Sequence, residues 1–154
     1  MSPGELLLSF QGRLNRKPYW LTIIATIAIF MLVALVAGIL SASGTGVLGE
    51  AAMLALPVLL YMPLAWICLA LGAKRLHDRD KSAWWLVVFF LVPGILEAVA
   101  ARMGDAGLLI QLAGLAISIW AFVELGCLRG TVGPNRFGPD PLSPPVPAAE
   151  ARAT

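Results

Sequence analysis

His77 is the only imidazole of the chain, and it stands beside a carboxylate in the run Lys74-Arg75-Leu76-His77-Asp78-Arg79-Asp80-Lys81. A histidine next to an aspartate suggests a general base and its orienter, and Asp78-x-Asp80 suggests a divalent-cation site. The spacing argues against both. Neighbouring residues on a helix point about 100° apart, so His77 and Asp78 cannot bond to each other as base and orienter. An imidazole at a helix C-terminus is expected to cap carbonyls there, with pairing to Asp140 or Asp80, or a ligand role, left open. For Asp78 and Asp80, ion pairing with Arg75, Arg79 and Lys81 is the expected fate. A glycine-rich phosphate loop, a serine elbow and the longer acidic constellations of membrane phosphotransferases are all missing. The sequence therefore offers no catalytic set, no metal site and no cofactor motif.

The run belongs to a wider basic group: Arg13, Arg16, Lys17, Lys74, Arg75, Arg79, Lys81, Arg129 and Arg136. Such cations can be topogenic, each attracted to anionic headgroups by about 1 kcal/mol. They can also belong to a folded pocket, because Gly12-Arg13 and Gly138 lie beside aromatic residues, a pattern of structured loops. On this second view Arg13, Arg16, Arg75, His77, Asp78, Arg136 and Asp140 gather in one anion-binding cytoplasmic cap. Phe10, Trp20, Trp84, Trp85, Asn135 and Phe137 would anchor it, with Phe137 pinned between the turn residues Pro134-Asn135 and Gly138. Guanidiniums so close need Asp78, Asp80, Asp140 or an external anion between them. Glu124 is expected to pair with Arg75 or Arg129, and Glu97 to reach water or Arg102. No carboxylate falls mid-bilayer, which argues against a proton-coupled carrier.

The elements that position these residues are apolar. Of 154 residues, 59% are hydrophobic and 13% charged, and the mean hydropathy is +0.85. A chain so poor in charge needs lipid as part of its solvent, and its formal charge of +2 gives no reason to expect nucleic acid. Four apolar stretches, about 20–40, 51–72, 84–101 and 107–128, are each long enough for a helix to cross a ~30 Å hydrocarbon core. The expected fold is thus an all-α integral membrane four-helix bundle with ordered cytoplasmic loops. Asn15 and either Asp80 or Ser82 are candidate helix caps, and Pro57, Pro63 and Pro93 are expected to distort their helices. The first stretch exceeds the 7–15 residues usual for a signal-peptide core and reads as an uncleaved span. Cys68 and Cys127 read as packing residues.

Lys and Arg alternate along the connections as 3, 0, 4, 1 and 3, so ten of the eleven fall on one side. The positive-inside rule places that side in the cytoplasm. Residues 1–19 then form a cytoplasmic segment, 129–141 a cytoplasmic cap motif, and 142–154 a Pro- and Ala-rich disordered tail. Tyr19-Trp20 and Trp84-Trp85 stand where the chain would enter the bilayer from the basic side.

Three motifs share that side: Phe10-Gln11-Gly12-Arg13 through Tyr19-Trp20, Arg75-Leu76-His77-Asp78 with Ser82-Ala83-Trp84-Trp85, and Gly133-Pro134-Asn135-Arg136-Phe137-Gly138-Pro139-Asp140-Pro141. Together, over about residues 9 to 141, they resemble the domain of unknown function 805 family of small bacterial inner-membrane proteins. Lys74 and Ala83 depart from its usual Arg and Gly. The resemblance implies the bacterial inner membrane and carries no established activity. The expected function is a non-enzymatic binding or assembly protein whose basic cap engages anionic lipid headgroups or a partner protein. The alternative is a homo-oligomeric channel or small-solute transporter.

Overall fold

A computed structural model describes residues 3–43 and 46–143. The described residues are helical apart from turns and one isolated bridge between Asn135 and Gly138. A short α1 (Pro3–Leu8) precedes α2 (Arg16–Ala42) and α3 (Val47–Asp78). A π-helical turn (Val87–Leu91) leads into α4 (Val92–Ala100), and a 3-10 turn (Gly104–Gly107) leads into α5 (Leu108–Phe122). A second π turn, Val123–Cys127, ends the helical part.

Among the described residues, three helices are long and apolar enough to cross a membrane: Arg16–Leu40, Val58–Asp78 and Gly104–Cys127. The stretch expected at 84–101 is a shorter apolar helix, Val87–Ala100, which at about 1.5 Å per residue falls short of a ~30 Å core. It starts late because residues 80–84 are spent on a turn, in which the Trp84 amide donates to Ser82 Oγ at 3.4 Å. It is distorted where Pro93 lacks the N–H that would reach Phe89, and the preceding residues widen into the π turn.

Two helices extend beyond their apolar stretches. The apolar stretch expected at 51–72 lies in a helix that continues to Asp78, so His77 sits near a helix C-terminus as expected and Lys74, Arg75 and Asp78 are helical with it. The apolar stretch expected from residue 20 lies in a helix that begins at Arg16, directly after the cap candidate Asn15. Asn15 contributes its backbone carbonyl to that start, accepting from the Tyr19 amide at 3.4 Å. Its side chain makes no cap, and Asn15 Oδ1 is buried without a partner. The expected disordered tail lies outside the described residues from 144 onward.

Helix α2 packs along α3, and α4 along α5, giving two hairpins that meet through the turn Val123–Cys127. The buried core sits at that junction and includes Leu14, Leu71, Leu76, Phe89, Ala121 and Leu125. Away from it, Met31, Leu32, Leu35, Leu59 and Met62 lie open, the surface a bilayer would cover. The core and the basic residues therefore share one end of the molecule, here called the polar cap.

Candidate functional site

The cap is built on the last two turns of α3. Lys74 and Arg75 are both 0% exposed, an expensive placement for a cation unless every donor finds an acceptor. Arg75 Nε donates to Leu125 O at 2.8 Å, and its Nη2 donates to Leu128 O. These are carbonyls that the terminal π turn leaves without helical partners. Its Nη1 reaches Asp78 Oδ2 at 2.6 Å. Lys74 Nζ donates to the carbonyls of Glu5 and Leu6, closing the end of α1 in the same manner.

Arg13 approaches Asp78 from the other side, with Nε 3.1 Å from Oδ1. Its remaining donors spread over the C-terminal segment: Nη1 to Gly133 O at 2.7 Å and Gly138 O at 3.3 Å, Nη2 to Thr131 O at 2.6 Å. Asp78 is thus a buried carboxylate with one guanidinium on each oxygen. Its own carbonyl accepts from the Thr131 amide at 2.8 Å and from Thr131 Oγ1 at 3.1 Å. Gly130 is the residue that lets this strand of chain approach, because a Cβ there would overlap the Asp78 carboxylate.

The segment after Thr131 folds over the end of α3. Asn135 Nδ2 donates to His77 O at 2.9 Å, while Asn135 and Gly138 exchange backbone hydrogen bonds at 3.0 Å. The Phe137 ring stacks on His77 with centroids 3.9 Å apart and planes within 7°. His77 Nδ1 lies 3.3 Å from Gly12 O, so the imidazole joins the two terminal segments and meets neither Asp140 nor Asp80. Asp140 accepts from the amides of Leu142 and Gly133, and these bonds hold its carboxyl below the ordinary aspartate value.

A second buried carboxylate, Glu124, takes Arg79 Nε at 2.6 Å and Lys81 Nζ at 2.8 Å rather than Arg75 or Arg129. The end of the π turn receives Arg16 Nη1 on Cys127 O at 2.9 Å and Trp20 Nε1 on Gly126 O at 3.0 Å. A cavity of about 30 Å³, room for a water-sized group, lies among Asn15, Arg16, Arg75, Asp78, Arg129 and Asp140.

Of the residues singled out from the sequence, Arg13, Arg75 and Asp78 form one cluster, with His77, Asn135, Phe137 and Asp140 around it. Arg16 stands at the rim. Arg136 does not join: its side chain is 59% exposed, pairs with Asp80 at 3.1 Å and lies over the Phe137 ring. Among the aromatic anchors, Phe10 packs edge-on to Trp66, and Trp85 packs against Phe89 and Trp120. Trp84 is 79% exposed, facing outward as an interfacial ring does, while Trp85 takes the inward place because adjacent residues diverge. Sequence reasoning missed Gly126, Gly130 and Thr131, and named Lys74 in the basic group without its burial. The small pair Gly72-Ala73 before Lys74 was the one available sign that another segment comes close there.

Comparisons with known proteins agree with a membrane assignment. A family model described as "Protein of unknown function (DUF805)" matches residues 7–139. The inner membrane protein YhaH of Escherichia coli (strain K12) is 33% identical over 139 residues, 90% of this chain and 91% of the relative. The inner membrane protein YhaI of the same strain is 33% identical over 139 residues, covering 87% and 86%. The uncharacterized protein YiiR, also of that strain, is 28% identical over 152 residues, covering 91% and 90%. No solved structure matches.

Proposed function

Because the chain belongs to the DUF805 family, with inner-membrane proteins among its relatives, we propose a multi-pass membrane protein without catalytic activity, whose cap binds anionic lipid headgroups. In this reading α2, α3, the Val87–Ala100 helix and α5 cross as four spans, and the polar cap and both termini face the cytoplasm. The alternation of Lys and Arg supports that orientation. Reporter fusions at Gly46 and Gly104 should then report an extracytoplasmic location, and fusions at Lys81 and Thr154 a cytoplasmic one. A cytoplasmic signal at Gly46 would overturn the orientation.

The observation that carries the binding role is how the cap spends its carboxylates. Asp78 serves Arg13 and Arg75, and Glu124 serves Arg79 and Lys81. Arg16, Lys17 and Arg129 remain at the exposed rim with no ion pair among the described residues. Rim cations are worth about 1 kcal/mol each toward an anionic surface, so three together make a preference of roughly 100-fold. Thermal unfolding of the full chain in nanodiscs should rise with phosphatidylglycerol over phosphatidylcholine. The variant carrying Arg16→Ala, Lys17→Ala and Arg129→Ala should lose that increment. Equal unfolding temperatures of the unsubstituted protein in the two lipids would refute the role.

A further inference from the structure

Beyond the cap, a groove of about 360 Å³ opens between α2 and the α4–α5 hairpin, within the range of ~300–1,000 Å³ typical of ligand sites. Its lining is largely aromatic, with Trp20, Phe89, Phe90 and Phe122, and includes Pro93 and Ser118. Phe90 and Phe122 are exposed at its open side, where the membrane would lie. Trp20 is a fixed wall. Its indole N–H is bonded to Gly126 O, and the ring lies so close to Gly126 that a Cβ there would stand 2.5 Å from it.

Two cations flank the groove without lining it. Arg16 lies one helical turn from Trp20 at i, i+4, and Lys17 lies at i, i+3, so both share its face. Arg16 uses Nη1 on Cys127 O, beside the carbonyl that holds Trp20. Its other guanidinium donors meet no acceptor among the described hydrogen bonds. Cations beside an apolar, aromatic trough match one chemistry: a phosphate joined to a hydrocarbon chain.

We propose that this groove binds one acyl chain of an anionic glycerophospholipid, with the phosphate on Arg16 and Lys17. The inference rests on the headgroup-binding reading and goes further, since it assigns the chain a fixed place between the two hairpins. A soluble phosphate would satisfy the arginine and leave the aromatic trough in contact with bulk lipid, which is why a lipid is the occupant argued for.

The test is native mass spectrometry of the full chain released from phosphatidylglycerol–phosphatidylcholine nanodiscs. One phosphatidylglycerol should stay bound per chain. Ser118→Phe, which fills the groove at an exposed position, should reduce retention about tenfold, a change near 1.4 kcal/mol. It should leave the thermal preference for anionic lipid in place. Phe122→Ala, which removes a wall at another exposed position, should reduce retention as well. Arg16→Ala should abolish the selectivity for phosphatidylglycerol over phosphatidylcholine. If both groove variants retain lipid as the unsubstituted protein does, the acyl-chain site is wrong while the headgroup reading stands. If no lipid is retained and the anionic preference is also missing, both readings fall.

Discussion

Replacing Asp78 by Asn should cost the folded protein about 3–5 kcal/mol, the penalty for removing one partner of a buried ion cluster. The amide keeps the shape of the carboxylate, so the loss reports charge rather than packing. Arg13 and Arg75 would then face each other across a neutral group, with side chains 1% and 0% exposed and little water to separate them. Their carbonyl acceptors on Leu125, Thr131 and Gly133 bind each guanidinium yet do not cancel its charge. The matched control is Arg136→Ala, which breaks an exposed pair with Asp80 and should cost 0–1 kcal/mol. Thermal unfolding of both variants in the same nanodisc decides the matter. Similar small losses would mean that the cap is not held by its charges.

Gly130→Ala should be nearly as damaging, by about 3 kcal/mol, the upper part of the usual cost of overpacking. The new methyl overlaps the Asp78 carboxylate, and neither partner is free to retreat. Asp78 is pinned by two arginines, and the backbone beside Gly130 is pinned by the two Thr131 hydrogen bonds to Asp78 O. Gly4→Ala is the control, since a Cβ there meets nothing within 4 Å and helix propensity favours the change by up to ~1 kcal/mol. Limited trypsin digestion gives a second readout, because loss of the Asp78–Thr131 contacts should release Arg136 for cleavage. An alanine variant as stable as the Gly4→Ala protein would show that the 130–131 segment does not rest on α3.

The membrane helices were legible because burial in lipid is a property of single residues summed along the chain. Hydropathy and the alternation of Lys and Arg report it directly. The gathering of Arg13, Arg75, Asp78 and Asn135 was legible for a different reason: three motifs emerge on one side of a narrow bundle, where side chains of that length reach each other. What escaped depends on other segments. Lys74 and Arg75 follow an apolar run, the usual mark of a helix leaving the membrane, yet they are buried because the Glu5, Leu6, Leu125 and Leu128 carbonyls replace water. Transfer of a residue from water to lipid contains no term for such replacement, so the apolar stretch stops six residues before the helix does. Glu124 was assigned to Arg75 or Arg129 by proximity along the helices. Arg79 and Lys81 reach it instead, because Arg75 is already engaged by Asp78 and the π-turn carbonyls.

The network around Arg13 also has an order in time. Arg13 leaves the ribosome before any of the long helices exists, whereas the Thr131, Gly133 and Gly138 carbonyls that receive its guanidinium follow all of them. Until Asp78 and those carbonyls are made, Arg13 has none of its buried partners and is solvated by water and headgroups. Its burial is then completed late, after both hairpins have been made. A nascent chain cut short before Thr131 would carry both hairpins with the Arg13–Asp78 cluster still uncovered. Such a product differs from the finished protein by solvated charge at the polar cap.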